Sequence, residues 1–192
     1  MKEKNKMIKN TEEKIMDTAL AIFAEKGYLG AKTKFIAEEA GFSEMTLFRK
    51  FQTKKNLYDR VMEKNQKKIF NEFQNIFSEK QYDSTEEFLR NLINNIVFLI
   101  ENNFEYILIS MHEGPEQSSS GEINNFLIKR VGEYIGSQEI LKNSNIDFDI
   151  FAFNIITFVY FVIADKRQGK LFNDHDEVIN KFISYSVVFI TH

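Results

Sequence analysis

Residues Thr33 to Phe51 read TKFIAEEAGFSEMTLFRKF. Gly41 follows the small and apolar positions Ile36, Ala37 and Ala40, where a helix-ending left-handed residue is expected, and only glycine adopts that conformation at low cost. Ser43 has the side-chain oxygen to cap a second helix, Glu44 to Phe51. In that helix Leu47 and Phe51, four apart, point one face back toward Ile36 and Ala40, leaving Thr46, Phe48, Arg49 and Lys50 outward. Thr33 suits the N-cap of the first helix, so both helix starts offer backbone N–H groups and partial positive charge to phosphate. Two short helices hinged at a glycine fit a helix-turn-helix, and equally a plain helical hairpin that packs on its neighbours.

The flanks separate the two readings. Upstream, Thr11 followed by Glu12 and Glu13 is a capped, dipole-compatible helix start. Ile15, Ala19, Ile22 and Phe23 then recur at helical spacing, and Gly27 and Tyr28 end the helix. Downstream, Thr53 is placed to cap a helix beginning Lys54, Lys55, Asn56, Leu57, which sets two lysines beside the end of the second hairpin helix. A three-helix head with a basic rim results.

The run from Ile15 to Tyr28, then Thr33 to Ser43, Thr46 to Phe51 and Lys54 to Leu57, resembles the TetR family of bacterial transcriptional regulators across about fifty residues without a gap. The resemblance implies an all-α homodimer of about nine helices per chain. A helix-turn-helix DNA-binding domain over 9–69, with its motif near 32–51, would precede a larger ligand-binding and dimerisation body over 70–192. It implies a palindromic double-stranded operator as partner, repression as the default outcome, and release by a small-molecule inducer. By position, Thr33, Lys34 and Lys54 should meet the DNA backbone. Thr46, Phe48, Arg49 and Lys50 fall where the family's recognition helix enters the major groove, and Ser43, Glu44 and Met45 at its start complete the implied DNA-binding set. Arg and Lys can donate to guanine O6 and N7, and a threonine methyl can touch thymine. Three positions depart from the family pattern: Phe48 lacks the usual tyrosine hydroxyl, Met45 replaces a small residue, and Glu44 brings a carboxylate toward phosphate. Glu44 reads more simply as a charge matched to the helix dipole than as a contact to cytosine N4.

Charge agrees with this division. The 192-residue chain carries a formal −3, but residues 1 to 60 hold 13 basic and 9 acidic side chains, a net +4, and residues 61 to 192 hold 12 and 19, a net −7. A basic head on an acidic body orients the molecule toward DNA. Lys2, Lys4, Lys6 and Lys9 form a basic arm that reads as a phosphate tether or a solubilising tail. With no cysteine in the chain, disulfides and thiolate chemistry are excluded. The N-terminus lacks a long apolar run, so a cytoplasmic location is expected.

Beyond the head the pattern is helical, with one proline in the chain. A helix from about Lys54 to Ser78 connects to a capping box at Ser84 to Glu87, which opens a helix through Ile100. Phe104 to Met111 continues, HEGPEQSSSG over His112 to Gly121 is the clearest loop, and Ile123 to Ile135 resumes. Asp147 to Ala164 is apolar nearly all round. Its uninterrupted part, Ile150 to Ala164, spans fifteen residues between Asp149 and Asp165, too short to cross a bilayer. Asp174 with Glu177 opens a last helix. Two double-sided helices at the C-terminus suggest a four-helix dimer interface through Phe151, Ile155, Phe158, Val162, Phe182, Tyr185 and Phe189.

Fifteen of the twenty phenylalanines follow residue 60. They fill a core and are compatible with an aromatic-lined cavity for a lipophilic or flat aromatic inducer; Asn95, Tyr106, His112, Glu113 and Tyr160 are polar groups that could face it, none singled out. An enzyme reading finds no support. The residues three before His112, His175 and His192 are Ile109, Phe172 and Phe189, so no di-iron Glu-x-x-His motif exists. His-Glu-x-x-His, Gly-rich phosphate loops and the Gly-x-Ser-x-Gly elbow are also missing, and neither metal nor cofactor is called for. The remaining alternative is a helical lipid-binding or protein-interaction bundle without operator binding, in which Arg49 and Lys54 would be dispensable.

Overall fold

The computed structural model describes residues 2–77, 80–112, 120–142, 144–169 and 171–191. Among them the chain is all-α: α1 (Lys2–Gly30), α2 (Thr33–Glu39), α3 (Glu44–Phe51), α4 (Lys54–Ile76), α5 (Thr85–Asn102), α6 (Phe104–His112), α7 (Ser120–Gly136), α8 (Phe148–Gln168) and α9 (His175–Thr191), with a 3-10 turn at Glu139–Leu141. The chain divides into two compact units, Met1–Ile69 with Phe104–Gly121, and Phe70–Asn103 with Glu122–His192.

Local chemistry sets most helix starts. Ser43, Ser84, Asp147 and Asp174 each accept a backbone N–H from the first turn they precede, satisfying donors that a helix leaves unpaired. Glu87 completes the second of these by accepting from the Asp83 amide at 3.1 Å. One expected start and one expected end differ. Helical backbone begins at Lys2, so the lysine arm continues α1 and Thr11 lies inside it. Gly27, with φ 67 and ψ 168, breaks α1 where a helix end was expected, but a further helical turn carries the chain to Gly30. Of the loop expected over His112 to Gly121, residues 113–119 lie outside the described residues, His112 belongs to α6, and Ser120 and Gly121 belong to α7.

In the first unit, Ile15, Ala19 and Phe23 of α1 meet Ile36 and Ala37 of α2, Leu47 and Phe51 of α3, and Leu57, Tyr58 and Val61 of α4 in one buried core. Tyr58 closes it with its ring edge-on to Phe23 and Tyr28, centroids 5.1 Å from each. Side chains of this size each contribute about 1.5–3 kcal/mol when fully buried. Helix α6 packs against α1.

In the second unit α5 is the central helix, burying Phe88, Leu89, Leu92, Ile93, Ile96, Leu99 and Ile100 while packing on α8 and α9. Gly132 lets α7 approach the start of α8 closely: a side chain there would meet the Phe148 carbonyl at 3.2 Å. Asp165 is buried, and its carboxylate accepts from the Leu171 and Phe172 amides and pairs with His175 at 3.0 Å. Burial pushes this carboxyl up, but the Phe172 amide, His175 and the Leu171 amide outweigh it and hold the group below its ordinary range. Because Asp165 is satisfied internally, α8 runs through it to Gln168 and reaches 21 residues, past the Ala164 at which the apolar pattern stops. By length and composition alone α8 could cross a membrane, with mean hydropathy 1.8 in its most apolar window. The core helix of a globular bundle meets the same criterion, and α8 buries Phe151, Ala152, Ile155, Val159, Val162 and Ile163 inside its unit.

Candidate nucleic-acid interface

The turn between α2 and α3 is built as a glycine-terminated helix end. Gly41 takes φ 81, its amide donates to the Glu38 carbonyl at 2.9 Å, and the Phe42 amide donates to Ala37 at 2.8 Å. This paired closure satisfies two otherwise orphaned carbonyls and fixes the exit direction of the chain. Ser43 then caps α3 through the Thr46 amide, with its hydroxyl also 3.0 Å from that of Thr46.

Thr33 does not cap α2. Lys32 occupies the N-cap without a side-chain bond, and Thr33, one residue inside, donates its hydroxyl to Glu44 Oε1 at 2.7 Å. A charged acceptor on the first turn of α3 outcompetes the backbone for that hydroxyl. Glu44 is thereby half-buried and tied to α2, a role beyond matching the helix dipole.

Helix α3 is anchored by Leu47 and Phe51, both essentially inaccessible, and turns Met45, Phe48 and Arg49 to solvent. Thr46 is half-buried. Lys50 departs from its expected outward position. Its side chain is only 15 % exposed, with Nζ 3.4 Å from Glu12 Oε1, while Arg60 of α4 takes the other oxygen at 2.8 Å. Burial pushes the Glu12 carboxyl up, but Arg60 and then Lys50 bring it below its ordinary value. Glu12 therefore locks α3 and α4 onto α1. It stands three residues before Ile15 and seven before Ala19, on the core edge of α1, which is the signal that marks it in the sequence.

Between α3 and α4 the chain turns in a single residue. Gln52 adopts φ 64 and ψ −46, and the Thr53 amide donates to the Phe51 carbonyl at 2.7 Å, a γ-turn. Thr53 caps α4 by accepting from Asn56 at 3.0 Å. Lys54 rests its ammonium 4.6 Å above the Tyr28 ring and 3.5 Å from the Leu29 carbonyl, and burial lowers its pKa. Lys34 is 72 % exposed, with Glu38 at 4.0 Å.

In the second unit a groove of about 560 Å³ lies between α4 and α7, lined by Phe70, Phe73, Phe77, Phe126 and Tyr134, with Gln74, Arg130 and Glu133. Tyr134 shares a 2.9 Å hydrogen bond with Tyr82, whose hydroxyl donates to Asn91; burial, then the Tyr82 contact, raises the Tyr134 pKa. Of the polar groups named as able to face a cavity, Asn95 donates to Asn91. Tyr106 is buried in the first unit and Tyr160 is half-buried in α8. Glu113 and the His112 side chain lie outside the described residues.

The seven residues expected at a subunit interface separate into three groups. Phe151, Ile155 and Val162 turn into their own unit and are buried there. Phe158 and Phe182 stack on each other with centroids 3.9 Å apart. Tyr185 and Phe189 are exposed, and with Phe153, Phe161 and Val188 they leave an uncovered apolar face on α8 and α9.

Two short helices joined at a left-handed glycine, the second presenting a solvent-facing strip between a capped start and a basic flank, define a helix-turn-helix protein of the DNA-binding class. Residues 15–61 match the model of bacterial regulatory proteins, tetR family. The chain therefore carries a TetR-family helix-turn-helix region. It is 26 % identical over 137 residues to the biofilm operon icaADBC negative transcriptional regulator IcaR of Staphylococcus aureus, covering 67 % of this chain and 72 % of that one. Its fold is similar to that of the ketosteroid transcriptional regulator KstR2 of Mycobacterium tuberculosis, with TM-score 0.70, 20 % identity, and 93 % and 94 % of the two chains covered. It is also similar to AibR, solved with isovaleryl coenzyme A and operator DNA, with TM-score 0.68, 15 % identity, and 91 % and 97 % covered.

Proposed function

We propose that the protein is a cytoplasmic transcriptional repressor that binds a palindromic operator as a homodimer and is released by a small lipophilic or aromatic inducer. The observation that carries this reading is the uncovered strip Met45, Phe48, Arg49 on α3, braced from behind by Leu47 and Phe51. A helix of this kind fits the B-DNA major groove. Two such helices related by a dyad address half-sites about 34 Å apart. Thr33, Lys34 and Lys54 take the phosphate backbone. Ser43, Glu44, Met45, Thr46, Phe48 and Arg49 take the groove. Lys50 serves chiefly to hold Glu12. Repression is favoured because IcaR is a negative regulator.

For the inducer, the phenylalanine-lined groove between α4 and α7 supports an apolar or aromatic ligand. The isovaleryl group of the coenzyme A ester bound by AibR, and the ketosteroid regulation of KstR2, point the same way. The uncovered face of α8 and α9 supports pairing of two chains through those helices. Release follows when the ligand prefers the conformation that does not bind DNA, and the coupling is no larger than that preference.

Mobility shift of the purified chain on DNA upstream of its own gene tests the reading. A discrete complex that weakens steeply with salt is expected, and a chain that retards no segment of that DNA more than a scrambled duplex would sink it.

A further inference from the structure

We infer that α3 reads thymine C5-methyl groups through Met45 and Phe48, so that each half-site carries thymine beneath these two side chains. This deepens, and rests on, the operator-binding reading. Met45 is 82 % exposed and Phe48 41 % exposed, three residues apart and so neighbours on the surface of α3. Large apolar side chains held in water gain by meeting an apolar partner, and the thymine methyl is the apolar group that the major groove presents.

The neighbouring groups bias the face the same way. Guanine is read by cations donating to O6 and N7. Of the two cations on α3, Lys50 is only 15 % exposed and engaged by Glu12 at 3.4 Å, which leaves Arg49. Glu44, aimed by the Thr33 hydroxyl at 2.7 Å, is an acceptor. It repels guanine O6 and N7 and accepts from cytosine N4 or adenine N6. One cation, one oriented carboxylate and two apolar side chains suit a half-site in which thymine methyls carry a large share of the discrimination. The +4 charge of residues 1 to 60 is complementary to DNA as the occupant of this face.

The test uses a duplex recovered by selection with the full-length protein from a randomised pool. Each thymine is then replaced singly by deoxyuridine, which removes only the C5-methyl. The expected result is a loss of about fourfold in affinity per contacted methyl, at one or two positions per half-site. M45A, at an exposed site that leaves the fold intact, should bring the thymine-to-deoxyuridine ratio at one of those positions to about one while the other positions keep theirs. If a duplex is recovered and no thymine-to-deoxyuridine change alters affinity, or M45A keeps every ratio, the inference is overturned and operator binding stands. Recovery of no preferred duplex overturns both.

Discussion

Gln52 is the one non-glycine residue with positive φ among those described, and it stands between the recognition helix and the cap of α4. Side chains rarely adopt that conformation, and holding one there costs about 1–3 kcal/mol. Glycine would remove the strain while adding about 0.5–1 kcal/mol of chain entropy to lose on folding. Gln52→Gly should therefore stabilise the protein by about 1 kcal/mol, read as a higher urea midpoint at unchanged slope. A lower midpoint would mean that the Gln52 side chain contributes more than its backbone strain costs. The caps at this scale were legible because they depend on residues within a turn: Ser43, Thr53, Ser84 and Asp174 all perform the bond their sequence context predicts. Thr33 was misread because its partner, Glu44, is eleven residues away and offers a charge. The Glu12–Lys50–Arg60 cluster joins three helices across 38 and 48 residues. Periodicity places Glu12 on the core edge of α1 but does not say which cations reach it.

Helices α8 and α9 show the limit of pattern reading at the scale of elements. Both are apolar on two sides, so spacing predicts that each must be covered twice without saying which side the protomer covers first. Helix α5 makes that choice by packing on both, drawing in Phe151, Ile155 and Val162 and leaving Phe153, Phe161, Tyr185, Val188 and Phe189 uncovered. A two-fold interface pairs one patch with its own copy, so a charge placed there meets itself across the axis. Phe161→Asp, at an exposed position, should preserve the helical circular dichroism of the protomer. Desolvating the carboxylate should weaken self-association by about 2 kcal/mol or more, or some thirtyfold. Sedimentation over a concentration series measures this, and an unchanged dimer constant would place the interface elsewhere. The length of α8 was also beyond the pattern, since Asp165 looks like a solvent flank until the Leu171 and Phe172 amides and His175 are seen to surround it.

Across the whole molecule, charge ties the subunit arrangement to the DNA-binding reading. The surplus of +4 sits in the first 60 residues and the deficit of −7 in the rest, so affinity for duplex should come from phosphate neutralised by the head. For B-DNA, log K falls with log salt at a slope of about 0.9 per neutralised phosphate. Lys34 is the cleanest probe, because its ammonium is exposed and its one ion pair, to Glu38, lies at 4.0 Å. Lys54 is less clean, since it also covers Tyr28. If each chain of a homodimer uses Lys34 on phosphate, Lys34→Ala removes two contacts per complex and should lower the slope by about 1.8. A single engaged head would lower it by about 0.9. Fluorescence anisotropy titrations of wild type and variant at four or five salt concentrations separate these values. Because Lys34 is assigned to backbone and not to bases, its loss should also weaken all duplexes by the same factor. A drop confined to one sequence would move Lys34 into the groove, and an unchanged slope would remove it from the interface.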